Sequence, residues 1–173
     1  NWTKVFITNA KYADTFIVMA KTRKKGGSRA LSAFIVEKDF EGFSIGSVED
    51  KMGLRSSNTT EVILDDCVVP AENMLGKEGE GFKVAMTALD SGRIGIASQS
   101  LGIARAAMHE AKEYALTRKQ FGKVLAGHQA IQWMIANMST NISAGYHLAM
   151  HAAALKDQGR RITKEASMAK LFC

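Results

Sequence analysis

In the first half of the chain the apolar residues come in short bursts, and in the second half they come at helical spacing. Residues 4–9 (KVFITN), 15–21 (TFIVMAK), 31–37 (LSAFIVE), 43–48 (FSIGSV) and 61–69 (EVILDDCVV) are rich in Val, Ile, Phe and Thr and are separated by turn residues. Such segments predict strands of an antiparallel sheet system. Gly26-Gly27-Ser28 and Glu41-Gly42 punctuate them, and Lys51 to Thr60 reads as a longer polar loop. No helical pattern interrupts this half, which argues against parallel βαβ winding.

From Ile94 the positions Ile94, Ala97, Leu101, Ala104, Met108, Ala111 and Ala115 are spaced alternately three and four apart, one stripe on a long helix predicted over 80–118. One more turn in either direction reaches a charged group, Asp90 before the stripe and Arg118 after it. A bend is expected at Ser91-Gly92, since glycine weakens a helix interior by about 1 kcal/mol relative to alanine. A second helix, predicted over 128–157, repeats the seam with Ile131, Ile135, Met138, Ile142, Gly145, Ala149 and Ala152, and a third pattern runs over 163–172. Two seams of this kind suit shallow-angle antiparallel packing. The fold class is therefore α+β: an antiparallel β-barrel or sandwich-like domain over 1–75, then part of an antiparallel four-helix bundle over 76–173, with one apolar face left uncovered.

Composition changes this picture little. With 46% hydrophobic and 23% charged residues in 173, the chain has the make-up of a globular protein with a sizeable core. No run approaches the length of a membrane span, and no basic-then-apolar leader is present at the start. The net charge of +6 comes from scattered cations, clustered only at Thr22–Lys25 and Arg160–Lys164, so an anionic small ligand accounts for it and nucleic acid is not implied. Cys67 and Cys173 match neither a zinc spacing nor a disulfide framework, which points weakly to a reducing compartment. Neither terminus carries a cap or breaker, and the sequence reads as an internal piece of a longer protein.

Several motifs have both a plain and a chemical reading. Asp90 and Arg93 stand three apart on one helix, which suits a surface ion pair; the missing side chain at Gly92 also leaves room for a ligand beside them. Arg118-Lys119-Gln120-Phe121-Gly122 reads as a basic last turn with a glycine stop, yet Arg118 continues the apolar stripe and would welcome a phosphate there. Gly76 to Gly81 (GKEGEG) lacks the spacing of a phosphate loop and reads as a linker. His147 and His151 are four apart without the intervening acid of a zinc protease helix, so no metal is expected.

The ordered set KVFITNA with Ala13-Asp14, SAFIVEKDFEGFSIG, EDKMGLRSSNT, VVPAENMLGKEGEGF, LDSGRIGIAS, YALTRKQFG and HQAIQ resembles the acyl-CoA dehydrogenase family along essentially the whole chain. The resemblance covers most of that family's middle β-domain and the start of its C-terminal helical domain. It implies an FAD enzyme that removes two hydrogens from an acyl-CoA thioester to give a trans-2-enoyl-CoA. A carboxylate takes the α proton, and electrons pass on to an electron-transferring flavoprotein. By the same resemblance Phe6, Ile7 and Thr8 meet the flavin, with Phe6 in place of the commoner tryptophan. Asp90, Ser91, Gly92 and Arg93 border the acyl-CoA; Arg118, Phe121 and Gln129 meet the FAD of a neighbouring subunit. A homo-oligomer follows, usually a dimer of dimers.

Where a minority of the family carries its base, immediately before the arginine, this chain has Gly92. The base is then expected beyond Cys173, and this polypeptide alone is expected to be inactive. Short or short-branched substrates, fatty acid β-oxidation, and a bacterial cytoplasm or mitochondrial matrix complete the expectation. An oxidase-like flavoenzyme or a non-enzymatic binding or assembly module on the same fold are the alternatives.

Overall fold

A computed structural model describes residues 1–173. The chain separates into two compact units, Asn1–Met86 and Thr87–Cys173, with the division inside a long helix.

The first unit carries strands β1 (Trp2–Thr8), β2 (Thr15–Lys21), β3 (Leu31–Glu37), β4 (Phe43–Val48), β5 (Thr59–Leu64) and β6 (Met74–Leu75). They form two antiparallel three-stranded sheets, ordered β1-β5-β4 and β2-β3-β6. Strands β2, β3 and β4 lie where the short apolar runs predict them. Along β2, Phe16 and Val18 point inward while Ile17 faces out, the period of two expected for a strand with one buried face. Ala10, Phe16, Val18, Val36, Val62 and Leu64 make the core, and the Phe16 and Phe43 rings meet at 4.7 Å, tilted 43° to each other.

Two expectations for this half need correction. The predicted strand 61–69 stops at Leu64, because Asp65 donates its amide to the Gly42 carbonyl and Asp66 turns the chain at φ 48°. Cys67, Val68 and Val69 are strand-forming by type but join no ladder. The stretch that reads as a linker is instead packed tightly. Gly79 donates its amide to the buried Ser32 hydroxyl, and a Cβ at Gly81 would stand 2.5 Å from the Ser32 carbonyl carbon. Only glycine permits that approach of backbone to β3.

The second unit holds most of α1 (Gly81–Thr117), a hairpin of β7 (Lys119–Gln120) and β8 (Lys123–Val124), α2 (Gln129–Asp157) and α3 (Thr163–Phe172). Helix α1 runs unbroken through Ser91 and Gly92. Ile94 packs with Leu155 while Leu101 approaches Gly145, so α1 and α2 run antiparallel. Ala97, Leu101, Ala149 and Ala169 form one small-residue cluster; Leu155, Ile162 and Ala166, with Ile94 against them, form another. A Cβ at Gly145 would meet Leu101 Cδ2 at 2.9 Å and Cys173 Sγ at 3.0 Å, which explains the glycine in that seam. Burial along the α1 stripe is uneven: Ala97, Leu101 and Ala115 are buried, Ala104 and Met108 half-buried, and Ala111 exposed. Trp133, Met134, Tyr146 and Met150 stand exposed on several sides of α2.

Candidate functional site

Three groups of sequence-predicted residues each occupy an unusual piece of backbone or a specific bond. The first is on β1. Lys4 pairs with Val62 and Ile7 with Thr60, so Val5 and Phe6 together oppose Glu61. On the other side of β5, Gly46 and Ser47 likewise oppose Glu61, since Ile45 pairs with Val62 and Val48 with Thr60. A bulge on each flank thus meets the same residue. Phe6 is the residue that absorbs the β1 bulge, at φ 58° and 67% exposed. A bulky residue in the left-handed region costs of order 1–3 kcal/mol, and such strain clusters at ligand sites. Thr8 is exposed, and with Ile7 it lines a cleft of about 370 Å³ bounded by Ala13, Phe16, Val18 and Met19.

The second group is on α1. Arg93 Nη1 donates to Asp90 Oδ1 at 2.6 Å, with the Asp90 side chain 15% and Arg93 31% exposed. The Thr163 hydroxyl donates to Asp90 Oδ2 at 2.8 Å. Ser91 donates to the Thr87 carbonyl and accepts from Lys156 Nζ at 2.8 Å. Gly92 sits between them with nothing within 4 Å of where a Cβ would be. The plain reading of Asp90 and Arg93 as an ion pair is therefore met in full, and the open space at Gly92 stands beside it.

The third group lies in the connection from α1 to α2. The helix ends at Thr117, so Gly122 is not its stop; the expected glycine-terminated basic turn is instead a hairpin. Phe121 at φ 51° and Gly122 at φ 79° are its two central residues, the positive-φ pair of a type I′ turn. Glycine suits that turn and phenylalanine does not, yet Phe121 is 93% exposed. Its ring meets His128 edge-on at 6.2 Å, and His128 Nε2 lies 3.2 Å from the Gln120 carbonyl oxygen. Arg118 closes the hairpin by accepting the Leu125 amide at its carbonyl, and it is exposed, as is Gln129 at the start of α2. Burial of the stripe thus ends at Ala115, before Arg118.

Sequence reasoning missed Thr163 and Lys156, the tertiary partners of Asp90 and Ser91. A hydroxyl residue at a helix start is a capping signal and marks Thr163 for attention, although its bond goes to α1 and not to its own helix. The thiols of Cys67 and Cys173 are free and pushed up from their ordinary pKa by burial. No helix is long and apolar enough to cross a membrane.

Comparison with known proteins follows the same division of the chain. The family model described as acyl-CoA dehydrogenase, middle domain, matches residues 1–67, and that described as acyl-CoA dehydrogenase, C-terminal domain, matches 79–173. The short-chain specific acyl-CoA dehydrogenase of Clostridium acetobutylicum is 52% identical over 99% of this chain and 45% of its own length. Subunit CarC of the caffeyl-CoA reductase-Etf complex of Acetobacterium woodii is 49% identical over 99% of the chain and 45% of its own. Among solved structures, butyryl-CoA dehydrogenase from Megasphaera elsdenii superposes with a TM-score of 0.94 at 48% identity, covering 99% of this chain and 45% of that one. The chain thus spans about half the length of the relatives it matches, 45% in each of these cases. With its antiparallel sheets, its helices and both family models matched in order, the chain belongs to the acyl-CoA dehydrogenase family.

Proposed function

We propose that the whole protein is an FAD-dependent acyl-CoA dehydrogenase that converts a short or short-branched acyl-CoA to the trans-2-enoyl-CoA in fatty acid β-oxidation. In this reading residues 1–75 belong to the middle β-domain and 76–173 to the helical bundle domain. The observation that carries it is the β1 bulge, where the family resemblance puts the flavin. An aromatic residue is held there in a conformation its backbone resists, with its ring turned outward. A planar ring system laid against Phe6 would cover that surface, and the Thr8 hydroxyl two residues further along β1 is free to bond a ring nitrogen. The residues fit the cofactor.

When bound, FAD would accept hydride from the substrate β-carbon. Phe6 and Ile7 would hold the flavin's face and shield it from water, while Thr8 fixes its register along β1. Asp90, Ser91, Gly92 and Arg93 would border the thioester, with Gly92 making room and Arg93 supplying positive charge to the CoA side. Arg118, Phe121 and Gln129 would hold the FAD of a neighbouring subunit, the guanidinium suiting its pyrophosphate. That arrangement implies a homotetramer built as a dimer of dimers. An electron-transferring flavoprotein is the proposed electron acceptor, in keeping with the Etf complex named for one relative. Both cysteines being free suits a reducing compartment, the bacterial cytoplasm or mitochondrial matrix, and a soluble enzyme.

The test is the visible spectrum of the full-length protein. Flavin absorbance that bleaches anaerobically on adding butyryl-CoA, with crotonyl-CoA as product, is the expected result. A colourless, correctly folded oligomer refutes the enzyme reading. Prompt reoxidation of the reduced flavin by air would mark an oxidase instead. Residues 1–173 expressed alone place no carboxylate at Gly92 and are expected to give no turnover with an artificial acceptor.

A further inference from the structure

The Asp90 carboxylate, which the family resemblance puts beside the substrate, has both oxygens engaged inside the protein. One accepts from Arg93 on the next turn of α1 and the other from Thr163, 73 residues later, at the first position of α3. The carboxylate therefore stands at the N-terminal end of α3, where the helix dipole favours an anion. The residue before Thr163, Ile162, gives that helix no side-chain cap. Immediately beside the bond, Ile94, Leu155, Ile162 and Ala166 pack together, and Ile162 and Ala166 are buried. Close-packed apolar groups leave α3 little freedom to move its first residue away from Asp90.

Arg93 is differently placed. Its guanidinium has five N–H donors in a rigid fork, and the bond to Asp90 takes one of them. The side chain stays 31% exposed, so further donors are free to meet a ligand. An arginine fixed by one bond is aimed only as well as its partner is held. Asp90 is held by Thr163.

We propose that Thr163 is a positioning residue for substrate binding: through Asp90 it fixes the direction in which Arg93 presents its guanidinium. Asp90 acts as a bracket between two helices, and Arg93 is the group of the pair that meets the acyl-CoA. This rests on the reading of Asp90 to Arg93 as the substrate edge. The bond is charge-assisted and its acceptor is mostly buried, so losing the hydroxyl frees a carboxylate oxygen and lets the Asp90–Arg93 pair rotate together.

The experiment uses the full-length, flavin-loaded protein with butyryl-CoA as probe, comparing Thr163→Val with Thr163→Ser. T163V is expected to raise KM roughly tenfold or more, the scale of one hydrogen bond to a charged group. Its kcat should stay within about twofold and its flavin spectrum unchanged, while T163S, which keeps the hydroxyl, restores KM to within about twofold. An unchanged KM in T163V overturns the proposal, as does a T163S variant as impaired as T163V. A variant that loses thermal stability while keeping its KM assigns Thr163 a structural role only, and also overturns it. Should T163V not fold, Thr163→Ala against T163S gives the same KM ratio and decides between the same outcomes. Wild-type protein that fails to bleach overturns the enzyme reading, and this one with it. Wild type that bleaches alongside a T163V of normal KM overturns the positioning role alone.

Discussion

Replacing Gly92 by alanine should move stability and substrate affinity in opposite directions. Gly92 lies in the interior of α1, exposed, with nothing within 4 Å of a Cβ built there. The added methyl meets no steric cost in the chain, so the whole helix-propensity gain of about 0.5–1 kcal/mol is available. At room temperature that gain slows local opening roughly two- to fivefold. Hydrogen exchange at the α1 amides flanking position 92 in the full-length protein measures it directly. If the space beside Gly92 is where the acyl-CoA lies, the same methyl stands in the ligand's place and KM for butyryl-CoA rises. A variant whose α1 amides exchange faster would refute the steric argument. One that is stabilised with an unaltered KM would refute the assignment of that space to substrate.

Three further outcomes can be checked. Gly81→Ala drives a Cβ into the backbone of Ser32 and Ala33, at 2.5 Å and 2.9 Å, where no side chain can yield. The expected loss is at least about 1–3 kcal/mol, and the thermal midpoint should fall by roughly 2–4 °C per kcal/mol. Thr60 is fully buried with its Oγ1 unpartnered, so Thr60→Val keeps the shape, removes a desolvated hydroxyl and should raise the urea midpoint by the equivalent of about 1 kcal/mol. Glu78 is held below the usual carboxylate range chiefly by the paired hydrogen bonds from Arg23, both at 3.0 Å, with Thr22 assisting. A depressed acid stabilises the fold above its unfolded pKa, and that contribution fades as pH falls through the lowered value. Carboxyl-carbon NMR should find Glu78 titrating below the other exposed glutamates in the wild type and among them in Arg23→Ala.

The parts legible in the sequence are those governed by local pattern. Strands β2, β3 and β4 follow from short runs rich in Val, Ile and Phe bounded by turn residues, and α1 follows from a stripe long enough to outweigh its internal glycines. Strand β5 is overread at its end because Cys67, Val68 and Val69 have strand character, while the turn is made by Asp65 and Asp66 before them. The hairpin at Phe121 reads as a helix stop because Gly122 is as suitable for one role as for the other. Pairing over long separation leaves no local trace: nothing in the order of residues joins Thr163 to Asp90 or Lys156 to Ser91. The family resemblance names candidate residues for these places, and only the folded chain supplies their partners.

Phe6 and Phe121 share one property, a backbone that favours glycine beneath a side chain that glycine lacks. Selection for a stable fold and selection for a working surface should therefore disagree at these two positions and agree at most others. A mutational scan that scores abundance and turnover separately would make the disagreement visible, with glycine at position 6 or 121 enriched in the first score and depleted in the second. Leu54 shares the strain and the exposure, at φ 52° and 85% exposed, so φ angle and exposure only nominate such positions, and the two scores taken together tell a working surface from a strained loop.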